Sequence, residues 1–198
     1  MTAAAEWALL EPELARFGIT RIGDRSAFDR HRQLDLAICV RPAARSFGTT
    51  YGHGPDLLAA KTAAAMAAIE RAAAERADVP VRIARASELS GVIDPLAWPE
   101  RLTTRYSPER SIPWVAGDEL IEGGQAFVPW ELVHADQSSA ELPGIFRPST
   151  TGLAAAATRT EALLRGLLEV IERDGEWIFA HRDAAAMNAC RVSFADGE

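Results

Sequence analysis

Two glutamates near the end of an apolar helical pattern are the residues whose chemistry stands out in this sequence. Glu169 and Glu172 are three residues apart, so on an α-helix they are neighbours on one surface. Two carboxylates side by side could bind one cation. They could equally form an ordinary solvated helix face, because charged side chains at helical spacing usually meet only water. The spacing alone leaves both interpretations open.

A stretch of small residues, Ser46–Gly54, precedes a second helical pattern and is predicted to be a loop. In it, Gly52 and Gly54 flank His53. A glycine-rich loop that leads into a helix N-terminus can hold phosphate through backbone N–H groups and the helix dipole. Neither GxxxxGK[ST] nor GxGxxG occurs, so an ordinary strand-to-helix connection is the alternative.

A short pattern near the end of each long helix links the two. Ala68–Arg71 reads AIER and Val170–Arg173 reads VIER, each after an apolar run. Two helices that lie side by side would bring these carboxylates together. Four residues are also few enough to recur by coincidence.

The elements that must position these residues follow from periodicity and from start and stop signals. Thr158 can cap the second helix, and Glu161 three residues later would complete a capping box. In the first helix, a narrow alanine-rich stripe predicts close packing on a sheet. The predicted helices are 1–18, Asp56–Ala77 and Thr158–Phe179, and the predicted strands are Ile19–Asp24, Leu34–Val40, Val79–Ala86, Ile112–Val115, Gln125–Val133 and Arg191–Phe194.

These elements predict one α+β domain over residues 1–198, with a mixed sheet and two long packed helices. The net charge of −7 argues against a nucleic-acid partner, because no basic surplus exists to neutralise phosphates. No window has the length of a membrane span, and acidic residues interrupt the amino-terminal apolar run. We therefore expect a cytoplasmic protein with no membrane partner.

Six stretches, in this order along the chain, resemble the YcaO domain family. They are FGITRIGD, AICVRPAARSF, GHGPDLLAAKTAAAMAAIERAAAE, IPWVAG, AFVPWELVH and STTGLAAAAT…EALLRGLLEVIERD, which together cover most of residues 17–174. The family phosphorylates a peptide backbone amide on its oxygen with ATP. A nucleophile then adds, giving an azoline or, with a sulfur donor, a thioamide. The RPAARSF and PWELV segments are most similar to YcaO proteins associated with TfuA and thioamide formation.

The resemblance implies ATP and Mg²⁺ as cofactors and a peptide as substrate. Mg²⁺ prefers hard oxygen ligands, which the family supplies from two helices with glutamate-arginine motifs. The residues that match the family as Mg²⁺ ligands are Glu70, Glu169 and Glu172. The residues at the positions of its nucleotide contacts are Gly52, His53, Gly54, Glu70, Glu161 and Arg173. No catalytic residue is assigned.

The sequence departs from the family at several of these positions. Ala63 and Ala67 stand where the family has serine and glutamate, and His53 replaces a lysine. Ala156 and Ala157 replace a Gly-Asn pair. An alanine cannot coordinate a cation, so we expect weak Mg-ATP binding or none by this chain alone. The resemblance also implies that the carboxy-terminal part of the domain is absent, through truncation, natural shortening or a split protein.

Two functions of different classes therefore remain. One is a divergent YcaO enzyme, and the other is a degenerate YcaO half that serves as a peptide-binding or partner-docking scaffold. A structural protein without a ligand is a third possibility. The expected partners are a peptide, a TfuA-like protein or a complementary YcaO half. A homo-oligomer is expected as well, because an incomplete domain leaves apolar surface uncovered.

Overall fold

The computed structural model of the chain describes residues 2–28, 34–76, 79–97, 106–136, 138 and 144–182. The helices in this part of the chain are α1 (Ala3–Leu10), α2 (Leu57–Glu75), α3 (Trp130–Val133) and α4 (Arg159–Ala180). The strands are β1 (Arg21–Asp24), β2 (Asp35–Val40), β3 (Thr49–Gly54), β4 (Val81–Ala84), β5 (Ile112–Asp118) and β6 (Gln125–Pro129).

The predicted amino-terminal helix is divided into α1 and a 3-10 segment. Thr2 caps α1 by accepting a hydrogen bond from the N–H of Ala5 at 3.3 Å. Pro12 has no N–H to continue the α-helical ladder, and Glu11–Phe17 form 3-10 turns. Gly18 ends the segment with a φ of 74°, in the left-handed region that glycine adopts without strain, and so ends the predicted helix 1–18.

The first sheet is antiparallel, with the order β1-β2-β3, and α2 packs across β2 and β3. The core between them is made mainly of small side chains, Ala37 and Cys39 from β2 and Ala60, Ala64 and Ala68 from α2, with Ile19 from the segment before β1. Because these residues are small, the helix and the sheet approach each other closely.

Gly52 shows how close this approach is. A Cβ added at Gly52 would lie 2.2 Å from the nitrogen of Ala64 and 2.3 Å from the oxygen of Ala60. Only glycine fits there.

The loop predicted over Ser46–Gly54 is wrong for most of its length, because Thr49–Gly54 form β3 and pair with β2. Gly52 therefore contacts the backbone of α2 as part of a strand and not as part of a loop.

A buried ion pair joins the segment after β2 to the end of α2. The Nη2 of Arg41 lies 2.6 Å from the Oε2 of Glu75, and the two side chains are 6% and 3% exposed. The Nε of Arg41 also donates to the oxygen of Phe17 at 3.0 Å. Ser46 donates to Glu75 from its N–H at 3.0 Å and from its hydroxyl. Burial alone would raise the pKa of Glu75, but these hydrogen bonds outweigh burial and hold the pKa below its usual value.

The second sheet is also antiparallel, with the order β4-β5-β6. Trp114 of β5 is fully buried, and its Nε1 donates to the oxygen of Ala84 at 2.9 Å. The strand predicted over Gln125–Val133 is too long: β6 ends at Pro129, which has no N–H for the ladder, and the next four residues form α3.

Glu131 of α3 is a second buried carboxylate with a structural role. It is 3% exposed and accepts hydrogen bonds from the N–H groups of Gly144, Ile145 and Phe146 at 2.7, 2.9 and 2.8 Å. It thereby fixes the segment that leads towards α4.

The α4 helix begins as the sequence predicted, with Thr158 accepting from the N–H of Glu161 at 3.2 Å. The carboxylate of Glu161 pairs with Arg165, so the capping box is only half formed. Gly166 is the one residue of this helix that is buried. No helix in the described part of the chain is both long and apolar enough to cross a bilayer.

The α+β class is confirmed, but the strands form two antiparallel sheets rather than one mixed sheet. Each sheet pairs strands that are consecutive in the chain, which favours antiparallel pairing through short connections. The strand predicted at Arg191–Phe194 lies outside the described residues.

Candidate functional site

A cavity of about 260 Å³ between α2 and α4 holds two of the predicted site residues, Glu70 and Glu169. The segment 153–155 lies between the two helices at this point. The cavity is lined by Ala63, Met66, Ala67, Glu70, Leu153, Ala154, Ala155, Arg165 and Glu169. The two long helices thus face each other across a cleft, with one acidic side chain from each.

Glu70 is electrostatically unusual. Its pKa is raised to about 7, first by burial and then by the charge of Glu169, while Arg71 acts in the opposite direction. Two neighbouring carboxylates each disfavour the ionised form of the other, because like charges repel. A bound cation would relieve this repulsion, so the pair has the electrostatics of a cation site.

Glu169 is held in place by the loop before α4. Its Oε2 accepts a hydrogen bond from the N–H of Gly152 at 3.1 Å, and its Oε1 lies 3.7 Å from the Nε of Arg173. Gly152 has a φ of +81° and packs against Gly166, where an added Cβ would lie 2.5 Å from the Gly152 oxygen. Glycines at both positions therefore let the loop reach the carboxylate.

Arg165 joins α4 to α1 at the edge of this cavity. Its Nη2 lies 2.7 Å from the Oε1 of Glu161 and 3.4 Å from the Oε1 of Glu6 on α1. The Glu6 side chain is 13% exposed. Glu161 and Arg165 have the i,i+4 spacing that brings side chains together on a helix, whereas the sequence predicts a capping box for Glu161. Glu6 was missed, since nothing in a sequence indicates a contact with a residue so far along the chain.

Two further predicted residues on α4 lie outside this cavity. Glu172 is exposed and does not line it. Arg173 lies near Glu169 but borders a second, larger cavity of about 690 Å³, together with Ser149, Thr151, Asp174, Trp177 and five apolar residues. The structure therefore brings together Glu70 and Glu169, with Arg173 at the edge and Glu172 apart.

His53 and Gly54 lie near the start of α2, apart from the acidic pair, whereas Gly52 lies further along this helix, against the backbone of Ala60 and Ala64. Gly54 contacts Ala59 and Ala60 at the start of α2. Glu70 is ten residues further along this helix than Ala60, which places it about 15 Å away along the helix axis. His53 is exposed on β3, and the Oδ1 of Asp56 accepts from the N–H of Ala59 at 2.8 Å at the helix start. A phosphate contact at this segment stays a prediction.

The oxygen ligands that the cavity offers suit a Mg²⁺ ion that is bound only in part by the protein. Among the described residues, no three His, Cys, Asp or Glu side chains come together as a metal-binding group. Ala63 and Ala67 line the same cavity and offer only methyl groups. Two carboxylates nevertheless fit a Mg²⁺ that takes its other oxygens from phosphates and water, which is how nucleotide-bound Mg²⁺ is usually held.

Residues 51–194 match the sequence model of YcaO cyclodehydratase, described as ATP- and Mg²⁺-binding. An uncharacterised protein in the tfuA 3′ region of Rhizobium leguminosarum bv. trifolii is 37% identical over 178 residues, which is 88% of this chain and 42% of that protein. An uncharacterised Mycobacterium tuberculosis protein is 31% identical over 84% of this chain and 39% of that protein.

The fold is also similar to solved structures. YcaO from Methanopyrus kandleri, bound with AMPPCP and Mg²⁺, matches 88% of this chain and 43% of its own, with a TM-score of 0.66 and 28% identity. A heterocyclase in complex with substrate and cofactor shows the same fold over 85% of this chain and 27% of its own, with a TM-score of 0.69 and 18% identity.

The chain spans less than half the length of each of these relatives. The family match nevertheless covers both helices that line the acidic cavity. The order of the matching segments, the shared fold and the extent of the match agree, and the chain belongs to the YcaO family.

Proposed function

We propose that this chain carries the Mg-ATP-facing part of a YcaO-type enzyme that modifies a peptide backbone. The observation that carries the proposal is the placement of Glu70 and Glu169, from two different helices, on one cavity. By the family resemblance these two residues stand at Mg²⁺-ligand positions, and the family is described as ATP- and Mg²⁺-binding.

The described residues can divide the work of holding Mg-ATP. Glu70 and Glu169 would take the Mg²⁺, and the N–H of Gly152 keeps the carboxylate of Glu169 oriented. Glu161, fixed by Arg165, and Arg173 are the proposed nucleotide contacts on α4. Bound Mg-ATP supplies a phosphoryl group for the oxygen of a peptide amide. Gly52, His53, Gly54 and Glu172 are proposed contacts only through the family resemblance.

The product class is a finer part of the proposal. Activation of an amide oxygen leads to an azoline with a neighbouring side-chain nucleophile and to a thioamide with a sulfur donor. The Rhizobium relative lies in a tfuA 3′ region, which supports a thioamide product and a TfuA-like partner. A peptide is the proposed substrate in either case.

A second candidate function is favoured by the two alanines of the cavity. Ala63 and Ala67 line it where the family resemblance calls for a hydroxyl and a carboxylate. A cavity that has lost these oxygens would bind Mg²⁺ less tightly, since a methyl group cannot replace a ligand. On this account the chain is a non-catalytic scaffold that binds a peptide or a partner protein.

Calorimetric titration of Mg-ATP into the purified chain tests the proposal. We expect weak binding, with a dissociation constant on the order of 1 mM, or about −4 kcal/mol. Glu169→Gln should abolish the heat of binding. Glu122→Gln is the matched control, because Glu122 is exposed, does not line the cavity and has no proposed role in binding.

Three results separate the two functions. Weak binding that Glu169→Gln abolishes and Glu122→Gln preserves supports the Mg-ATP site. A micromolar constant with the same dependence would show that the chain alone holds a complete nucleotide site. No binding at millimolar Mg-ATP would favour the scaffold.

A further inference from the structure

The acidic cavity between α2 and α4 has one basic side chain among its nine lining residues, and this residue is Arg165. The other eight are Glu70, Glu169 and six apolar residues. Mg-ATP has a net negative charge, and like charges repel, so the two carboxylates alone disfavour its phosphates. A ligand of this charge is bound more tightly if a cation of the protein lies beside it. Arg165 is the lining residue that supplies one.

Arg165 uses only one of its guanidinium nitrogens for contacts within the protein. Its Nη2 lies 2.7 Å from the Oε1 of Glu161 and 3.4 Å from the Oε1 of Glu6. Within the described part of the chain, Nη1 and Nε have no hydrogen-bond or ion-pair partner. The side chain is 43% exposed, so a ligand in the cavity can reach these N–H donors.

Arg173, two turns further along α4, has different surroundings. Its Nε lies 3.7 Å from the Oε1 of Glu169, and its Nη1 lies 3.4 Å from the Oε2 of Glu176. It borders the larger cavity and does not line the acidic one. Arg173 therefore has acidic partners at two of its nitrogens, whereas Arg165 keeps two nitrogens for a ligand.

We propose that Arg165 binds the phosphate chain of the nucleotide in the acidic cavity, and that Glu161 and Glu6 hold its guanidinium in position. This inference deepens the proposed function and rests on it. Hydrogen bonds between a guanidinium and phosphate oxygens are charge-assisted and stronger than those between neutral groups. Glu70 and Glu169 contact the metal in this arrangement, and Arg165 contacts the phosphates.

The alternative role for Arg165 is structural, as a tie between α4 and α1 through Glu6. The two roles predict different effects when Glu6 is removed. A structural tie needs both partners, so Glu6→Gln and Arg165→Gln would weaken ligand binding equally. A phosphate contact needs only Arg165, and Glu161 still holds the guanidinium when Glu6 is absent.

Amide NMR titrations with Mg-ATP and with Mg-tripolyphosphate test the contact, because such titrations measure weak binding. Arg165→Gln should weaken the binding of both ligands roughly tenfold, which is the usual effect of losing one hydrogen bond between charged groups. Glu6→Gln should change either affinity by less than about twofold, as expected for a partly exposed ion pair. Thermal unfolding of each variant verifies that it folds.

Arg159→Gln is the matched control for the loss of a positive charge from α4. Arg159 is on the same helix, lies 2.7 Å from Asp118 and does not line the acidic cavity. Its replacement should leave both affinities unchanged. A loss in Arg159→Gln as large as that in Arg165→Gln would overturn the proposal, because the effect would then be one of general charge.

Three other results would also overturn the contact. Equal losses in Glu6→Gln and Arg165→Gln would identify Arg165 as a tie between helices. Unchanged affinities in Arg165→Gln would show that it contacts no ligand. A loss for Mg-ATP without a loss for Mg-tripolyphosphate would place Arg165 against the nucleoside and not against the phosphates.

The phosphate contact and the proposed function can fail separately. Mg-ATP binding that Glu169→Gln abolishes and Arg165→Gln leaves unchanged would keep the proposed function and remove the contact. Binding of Mg-tripolyphosphate that depends on Arg165, without binding of Mg-ATP, would keep the contact and remove the nucleotide site. A chain that binds neither ligand would remove both.

Discussion

Glu70 and Glu75 lie five residues apart on α2 and have opposite surroundings. Glu75 is buried, paired with Arg41 and hydrogen-bonded to Ser46, and its pKa is lowered. Glu70 faces Glu169, and its pKa is raised to about 7. One carboxylate stabilises the fold, while the other is held beside a like charge.

This contrast shows how to tell a structural carboxylate from a candidate ligand. A buried structural carboxylate has its oxygens filled by donors of the protein, as in Glu75 and Glu131. Glu70 is partly buried, yet no hydrogen bond or ion pair to its carboxylate is found among the described residues. Perturbed carboxyl groups of this kind cluster at functional sites.

The largest expected effect is on the structural carboxylate. Glu75→Gln leaves Arg41 buried without its counter-charge, and breaking such a pair costs roughly 3–5 kcal/mol. Urea unfolding at pH 7 should show this loss. Glu70→Gln, on the same helix, should leave the free energy of unfolding unchanged or slightly higher. Equal losses in both variants would remove the distinction between the two residues.

The next largest effect is the contribution of Glu75 to the pH dependence of the free energy of unfolding. Its folded pKa lies below the ordinary value of 4.5, so its stabilisation is present above pH 4.5 and is lost as the pH falls through the folded pKa. The double variant Arg41→Met/Glu75→Leu should fold, because apolar replacement of a buried pair is often neutral.

That double variant should lose less stability than the parent between pH 5 and pH 3, measured by urea unfolding across this range. An acid slope identical to that of the parent would show that other carboxyl groups account for it.

A smaller effect is expected from restoring an oxygen ligand to the cavity. Ala67→Glu places a third carboxylate beside Glu70 and Glu169, and should tighten Mg-ATP binding about tenfold, or 1.4 kcal/mol. Calorimetry measures the change. Ala73→Glu is the control, because Ala73 is exposed on the same helix and does not line the cavity. A gain of the same size in the control would reflect general charge rather than coordination.

The smallest effect concerns a partly exposed carboxylate, Glu6. Its pairing with Arg165 should have a coupling energy of roughly 0.2–1 kcal/mol, as is usual for partly solvated ion pairs. A double-mutant cycle with Glu6→Gln and Arg165→Gln measures it by thermal unfolding. Glu13→Gln, which breaks an exposed pair with Arg16, should show no coupling to Arg165.

The sequence was most informative where a pattern is local. The bounds of α4 differ from the predicted ones by one residue at each end, because apolar periodicity and the Thr158 cap are local signals. The α+β class followed from the alternation of strand and helix patterns. The shared AIER and VIER patterns pair Glu70 with Glu172, whereas the residue that shares a cavity with Glu70 is Glu169, directly before VIER.

The sequence was least informative where contacts join distant segments. Nothing local indicates that Arg41 pairs with Glu75, or that Glu131 holds residues 144–146. In β3 a signal was present and was misinterpreted. Burial alternates strictly from Thr49 to Gly54, as expected of a strand, but the glycines suggested a loop.

The close approach of α2 to the first sheet has a consequence for how this chain can vary. In a library of random substitutions selected only for folding, positions 52, 60 and 64 should accept little besides their present small residues, since the backbones nearly touch there. Ala63 and Ala67, which border the cavity instead, should accept larger side chains. An acidic residue enriched at position 67 would then report selection for a ligand, because folding alone gives it no advantage.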